Sequence, residues 1–296
     1  MSTSLSPPES PFEPRPAPTS STSSDASPSS SSSSSTGPTN VKPMPIEWPL
    51  TSFASTPHNV ACIGFVLGAF WATGLAFALP SLKAWFLWTA SSAAKLPQQG
   101  WWTALTADPQ LGAYLASWAV FHLLEFVVTS MWNPGKLSVD SYLLNNGVHY
   151  DVAHAAGILE HILEERFFPE EWRRWKHSGY VFIAGLVILS AGQILRSFAM
   201  ISASSNFSHL KRPDHQLVKT GIYSWSRHPS YAGFYWWAVG TQLVLGNPFC
   251  TLVFVATLHW FFSARITVEE RYLIKFFGKD YEDYRARVPS RILFIP

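Results

Sequence analysis

Two short polar stretches of this chain carry residue types able to do chemistry. The first runs from Gly221 to Tyr231 and reads Gly-Ile-Tyr-Ser-Trp-Ser-Arg-His-Pro-Ser-Tyr. The second is the pair Arg265 and Glu269. Four residues apart, this pair shares one face of a helix. An arginine there can fork onto a carboxylate through two parallel hydrogen bonds, and a glutamate one turn away can hold an ammonium group. The first stretch mixes the turn formers Gly221 and Pro229 with aromatic rings and an imidazole, and His215 to Val218 leads into it. Such a set suits a nucleoside with a polar tail. It lacks the Gly-x-Gly-x-x-Gly fingerprint of a dinucleotide fold. Read in isolation, each stretch also has a plainer meaning. The charged pair resembles a surface ion pair of little energetic value, and the loop resembles an interfacial turn anchored by Tyr and Trp.

The elements around them give the two stretches their context. Between them lie two apolar runs, Tyr231 to Gly246 and Phe249 to Ser263, joined by Asn247-Pro248, a turn signal. As helices they are roughly 25 Å long each, short but adequate for a thin bilayer. A hairpin has both ends on one side. The loop 201–230 and the tail 265–296 therefore share a compartment, and both are basic, which places them in the cytosol by the positive-inside tendency. Glu269 to Gly278 predicts an amphipathic helix that stops at glycine.

The rest of the body is of the same kind. Hydrophobic residues make up 47% and charged residues 14%, against about a quarter charged in soluble domains. Val60 to Leu79 is an uncharged apolar run long enough to cross a bilayer core. Leu111 to Met131, Tyr142 to Leu163 and Tyr180 to Met200 are further spans. Leu82 to Ala94 reads either as another span or as an interfacial piece, so the side of the N-terminus stays open. The expected fold is an all-α, polytopic membrane bundle with a cytosolic cofactor-binding loop and a C-terminal amphipathic helix. Residues 1–48 are rich in Ser and Pro, with an unbroken serine run from Ser29 to Ser35. They cannot bury enough apolar surface to offset their ordering entropy and are expected to be disordered. The expected division is then 49–136 for N-terminal transmembrane helices and 137–296 for the catalytic core.

Other polar residues in the spans invite weaker readings. His149 and His154 are five apart, about 140° of helical rotation, so they do not share a face, and no metal site is expected. His122 and Glu125 lie three apart within a span and suggest a mutual hydrogen bond that orders the bundle. Arg196, near the end of its span, is placed to reach the cofactor loop. Cys62 and Cys250 both sit in apolar runs and make no disulfide framework or metal spacing.

A wider set of motifs carries a family resemblance. Arg227-His-Pro-Ser-Tyr-Ala-Gly-Phe-Tyr-Trp-Trp237, Gly240-Thr-Gln242, Asn247-Pro248, Arg265 with Glu269-Glu270, Phe276-Phe-Gly278, Tyr281-x-x-Tyr284 and Arg287-Val-Pro289 resemble isoprenylcysteine carboxyl methyltransferases. Asp140 to Asn145 and Ser205 to His209 are similar to the same family. The likeness runs from about Leu137 to Pro296. The His-Pro-x-Tyr element alone is shared with sterol reductases, which use NADPH, and with phospholipid methyltransferases. The resemblance implies an endoplasmic reticulum membrane enzyme that methylates the α-carboxylate of a farnesyl- or geranylgeranyl-cysteine ending a CaaX-processed protein, with S-adenosyl-L-methionine as donor. It implies cofactor contacts at His215, Gln216, Leu217, Val218, Tyr223, His228, Pro229, Ser230, Tyr231 and Glu269, and a substrate-binding, catalytic role for Arg265. Prenylated proteins and the lipid bilayer are the expected partners; no nucleic acid is. Ile266-Thr-Val268 departs from the acidic run of animal members but leaves the Arg265–Glu269 spacing intact, and the loop from Leu210 to Asp214 is shorter than theirs.

Overall fold

The computed structural model describes residues 55–88, 108–176, 179–204 and 216–295, with backbone only for 80–88 and 175. The serine-rich tail, His215, Ser205 to His209 and the short loop Leu210 to Asp214 lie outside the described residues. Among the described residues the elements are helices: α1 (Pro57–Trp88), α2 (Pro109–Trp132), α3 (Val148–Phe167), α4 (Glu170–Lys176), α5 (Gly179–Ala203), α6 (Pro229–Leu245), α7 (Pro248–Phe277) and α8 (Lys279–Arg287), with short 3-10 turns between some of them.

Among the described residues four helices are long and apolar enough to cross a membrane: Pro57–Leu79 of α1, and α2, α5 and α7. The expected spans Tyr142 to Leu163 and Tyr231 to Gly246 are not among these four. The run from Tyr142 to Leu163 becomes helical only at Val148, because Val139–Tyr142 is a 3-10 turn that ends at Leu143 in the left-handed region. The run beginning at Leu82 is no separate span as far as it is described: α1 continues through Pro80 to Trp88, and residues 89–94 lie outside the described residues. α6 has only 17 residues, yet it is the centre of the bundle, buried almost all round as an apolar helix with no polar face must be. Trp237, Tyr235, Val244 and Leu245 are fully enclosed.

Small residues let α5 and α6 approach closely, as they do between helices in lipid. A Cβ added to Gly192 would stand 2.4 Å from the Trp237 amide nitrogen, and one added to Gly233 would stand 2.6 Å from that of Arg196. Proline opens α2, α6 and α7, where its missing N–H costs nothing. The hairpin turn between α6 and α7 uses Gly246 at φ 68°, a left-handed conformation that suits glycine.

The helices alternate in direction, which defines two ends. Ser204 Oγ donates to Trp132 O at 2.8 Å, so α2 and α5 finish together. Val139 N donates to Ser55 Oγ at 3.1 Å and Tyr142 Oη to Val60 O at 3.1 Å, which puts the start of α1 at that same end. At the other end Glu160 accepts from the Phe249 and Cys250 amides at 2.9 and 2.7 Å, capping α7. The first helix thus begins on the face where α7 ends, a point the sequence leaves open.

Candidate active site

The candidate site forms where the loop before α6 meets the upper part of α7. The hairpin argument predicts that these segments share a face, and they pack directly. Arg227 N donates to Pro289 O at 3.1 Å. Ser226 Oγ donates to Ser290 O at 2.6 Å, and Tyr284 Oη to Tyr223 O at 2.6 Å.

Tyr231, one turn into α6, is the junction. Its hydroxyl donates to Glu269 Oε2 at 2.7 Å and accepts from Arg265 Nε at 3.1 Å. The Arg265 guanidinium carbon also lies 5.8 Å from the Tyr231 ring centroid. Arg265 and Glu269 therefore share a helix face, as their spacing predicts, and one phenol joins them. All three are half-buried. The helix carrying them is unbroken from Pro248 to Phe277, so the predicted amphipathic segment after the span is the span's own extension, ending at Gly278 with φ 58°.

Behind this trio sits a second cluster, centred on Glu270. Its Oε1 accepts from Arg227 Nε at 2.5 Å and Tyr281 Oη at 3.3 Å and lies 3.1 Å from His228 Nε2; Arg285 Nε is 3.1 Å from Oε2. Glu270 is only 4% exposed. His228 in turn lies against Tyr231, ring centroids 5.6 Å apart and nearly parallel. The His-Pro-Ser-Tyr loop is thus tied to the C-terminal helix α8 through one buried carboxylate. The sequence reading missed Glu270. The signal was present in the Glu269-Glu270 doublet, since adjacent helix residues point about 100° apart and the two must meet different neighbours. Burial pushes the Tyr281 hydroxyl up, with Glu270 adding to the effect; burial likewise raises Tyr284, and raises Tyr223, where Tyr284 and Glu269 contribute further. These phenols stay protonated and act as hydrogen-bond donors.

The remaining expected cofactor residues are brought close in part. Tyr223 sits in a 3-10 turn, its hydroxyl 3.4 Å from Ala199 O. Leu217 packs on the α7–α8 cluster of Leu273, Tyr281 and Tyr284. Gln216 is exposed and Val218 half-buried; His215 lies outside the described residues. His228, Pro229 and Ser230 are buried, with Pro229 as the first residue of α6.

Residues in the membrane interior behave differently from one expectation. His122 and Glu125 do not bond each other. His122 donates through Nδ1 to Tyr142 O at 2.7 Å and meets Tyr150 Oη at 2.9 Å, whereas Glu125 takes Arg196 at 2.5 and 2.9 Å. Arg196 does reach the loop, 3.2 Å from Ser230 Oγ. His149 is exposed, and His154 is buried with Nδ1 2.6 Å from Tyr114 Oη. Trp237 is fully buried and stacked on Phe121, ring centroids 4.1 Å apart.

Fold and site together define a multi-pass helical membrane protein with a half-buried Arg–Tyr–Glu cluster at one edge of the bundle. The isoprenylcysteine carboxyl methyltransferase (ICMT) family profile matches residues 183–275, from α5 through the site-bearing part of α7. The chain is 44% identical over 189 residues to the protein-S-isoprenylcysteine O-methyltransferase of Saccharomyces cerevisiae, covering 62% of this chain and 79% of that one. It is 43% identical over 188 residues to the Rattus norvegicus protein of the same name, 62% of this chain and 65% of the relative. A solved structure of a eukaryotic intramembrane Ras methyltransferase ICMT superposes with a TM-score of 0.66 at 32% identity, covering 80% of this chain and 77% of that one. The chain belongs to the isoprenylcysteine carboxyl methyltransferase family, and the sterol-reductase and phospholipid-methyltransferase readings are not favoured.

Proposed function

We propose that this chain methylates the α-carboxylate of a C-terminal farnesyl- or geranylgeranyl-cysteine on CaaX-processed proteins, with S-adenosyl-L-methionine as donor and S-adenosyl-L-homocysteine as by-product. The placement that goes with this reading is the endoplasmic reticulum membrane, with the site facing the cytosol and residues 137–296 as the catalytic core. The observation that carries it is the Tyr231 hydroxyl joining Arg265 to Glu269 on one helix face. One cationic and one anionic side chain held side by side suit two charged reactants that must meet.

The residues present fit the donor. Glu269 would hold its ammonium group, with Tyr223, His228 to Tyr231 and His215 to Val218 around the rest. When bound, S-adenosyl-L-methionine supplies an electrophilic methyl group on a sulfonium, so the carboxylate becomes an ester and a neutral thioether leaves with no proton transferred. The chain therefore needs no general base: an α-carboxyl has an ordinary pKa of about 3.5 and is already an anion. Its work is alignment and exclusion of water. Arg265 offers several N–H donors in a fixed fork, directed by its Nε contact with Tyr231, and can grip the carboxylate while leaving a lone pair free for in-line attack. Orientation of this kind can supply roughly 7 kcal/mol.

Below Arg265 the same flank of α7 carries Phe261, 45% exposed, and the half-buried Leu258. Such an apolar flank lets a prenyl chain stay in lipid, where each buried CH₂ contributes about 0.8 kcal/mol, while its cysteine end reaches Arg265. The test is transfer of a labelled methyl group from S-adenosyl-L-methionine to N-acetyl-S-farnesylcysteine in membranes containing the chain, beside the unprenylated analogue. Base-labile label on the prenylated compound alone is expected. Folded protein that binds the donor but labels neither compound would overturn the proposal.

A further inference from the structure

One charged pair lies deep in the bundle and has no part in the reaction as described so far. Arg196 of α5 and Glu125 of α2 are both buried. Arg196 donates through Nε to Glu125 Oε1 at 2.5 Å and through Nη2 to Oε2 at 2.9 Å, a two-point fork. Each residue is seven positions from the end of its helix, about 10 Å below it. Its Nη1 points elsewhere, 3.2 Å from Ser230 Oγ and 3.4 Å from Ser230 O. The guanidinium carbon also lies 5.4 Å from the ring centroids of both Phe121 and Phe234. Three helices converge on one cation, and the third of them begins there.

Charged side chains within spans are rare and costly. A buried ion pair gains little over well-packed apolar residues of similar volume, which are often neutral or stabilising in its place. Gluing α2 to α5 therefore does not by itself account for the pair. What an apolar pair could not supply is the third contact, to Ser230. Ser230 is the residue before Tyr231, and Tyr231 is what holds Arg265 and Glu269 together. The short α6 begins low in the bundle, level with Arg196 rather than with the ends of α2 and α5. Its first turn is thereby anchored from the membrane side by Arg196, as His228 is anchored from the other side by Glu270.

We infer that Glu125 and Arg196 are positioning residues for the methyl-transfer site: the pair fixes the Ser230 turn and, through it, the Tyr231 hydroxyl that directs Arg265. The inference rests on the function proposed above. It also carries the working site into α2, upstream of the 137–296 segment.

The test replaces both charges at once, Glu125→Leu with Arg196→Met, so that neither is left unpaired. Per folded enzyme, measured by size exclusion and thermal unfolding in detergent, turnover of N-acetyl-S-farnesylcysteine should fall at least tenfold with a raised KM, while the melting temperature stays near that of the parent. Arg196→Lys keeps the charge but loses the fork, and should fall between the two. Ser230→Ala, which removes only the hydroxyl contact, should raise KM severalfold and serves if the double variant does not fold. A folded double variant within twofold of the parent in kcat and KM, or an unchanged Ser230→Ala, would overturn the inference. Failure of the parent itself to transfer methyl would instead count against the underlying function.

Discussion

The two ends of the bundle each hold a buried polar cluster, and they are built to opposite purposes. At the site end the charges run outward in layers. Glu270 is enclosed by Arg227, His228, Tyr281 and Arg285, whereas Arg265, Tyr231 and Glu269 remain half-buried. At the far end the charges are closed in. Lys176 is fully buried, 3.1 Å from Glu164 and 3.6 Å from Glu165. His161, also fully buried, lies 2.6 Å from Asp108 Oδ2 and donates to Leu245 O at 3.0 Å. Asp108 in turn caps α2 by accepting from the Gln110 and Leu111 amides. The far cluster joins helix ends to one another. The site cluster joins a loop to α7 and α8 and leaves charge half-exposed. On the function proposed above, similar residue types serve stability at one edge and chemistry at the other, and exposure separates the two.

Removing a central charge from each end gives the largest and most telling effect. Glu270→Ala leaves Arg227 buried without its carboxylate, and Lys176→Ala leaves Glu164 in the same position. Each should lower stability by about 3–5 kcal/mol, read as a drop in melting temperature in detergent. They should differ in activity per folded molecule, with Glu270→Ala losing most of its turnover and Lys176→Ala keeping it. Equal retention of activity would erase the distinction between the two ends.

Within the site cluster, the half-buried residues should split binding from turnover. Arg265→Ala is expected to lower turnover about a hundred- to thousandfold, the scale of losing one preorganised charge-stabilising group, while donor affinity measured by calorimetry stays within about threefold. Glu269→Ala should weaken donor affinity about tenfold or more, as befits loss of a hydrogen bond to a charged group. Equal loss of donor binding in both variants would sink this division of roles.

The smallest effect belongs to the far end and depends on pH. Burial opposes ionisation of Asp108, but the hydrogen bond and charge interaction with His161 and the amides of Leu111 and Gln110 outweigh it, holding the carboxyl below its ordinary value of 3.8. A carboxyl lowered in the folded state adds stability that is fully present above the unfolded value and is lost as pH falls through the folded one. Asp108→Asn should therefore cost about 1–2 kcal/mol near neutrality, with the gap to the parent closing as the solution is acidified below the ordinary carboxylate range. KM values for donor and prenyl substrate should not move.

Much of this was legible in the chain itself. Apolar runs of bilayer length, the Asn247-Pro248 turn and hairpin parity were enough to predict a helical membrane bundle and to put the Gly221–Tyr231 loop and the Arg265 helix on one face. The spacing of Arg265 and Glu269 specified a shared helix face because helical geometry is local. The motif ensemble pointed to the family, and the relatives agree. Side-chain partners between helices were not legible. Nothing in the spacing of His122 and Glu125 says that one turns to Tyr142 and Tyr150 and the other to Arg196. Nor does the Glu269-Glu270 doublet say that Glu270 is the one to be buried among Arg227, His228 and Tyr281. Pattern along the sequence determines most of the helices and, through hairpin parity, that the loop before α6 and the end of α7 meet one edge of the membrane. The tertiary structure alone decided which charge faces which, because in a low-dielectric interior a buried charge must find its partner on whichever helix the packing of glycines and rings brings beside it.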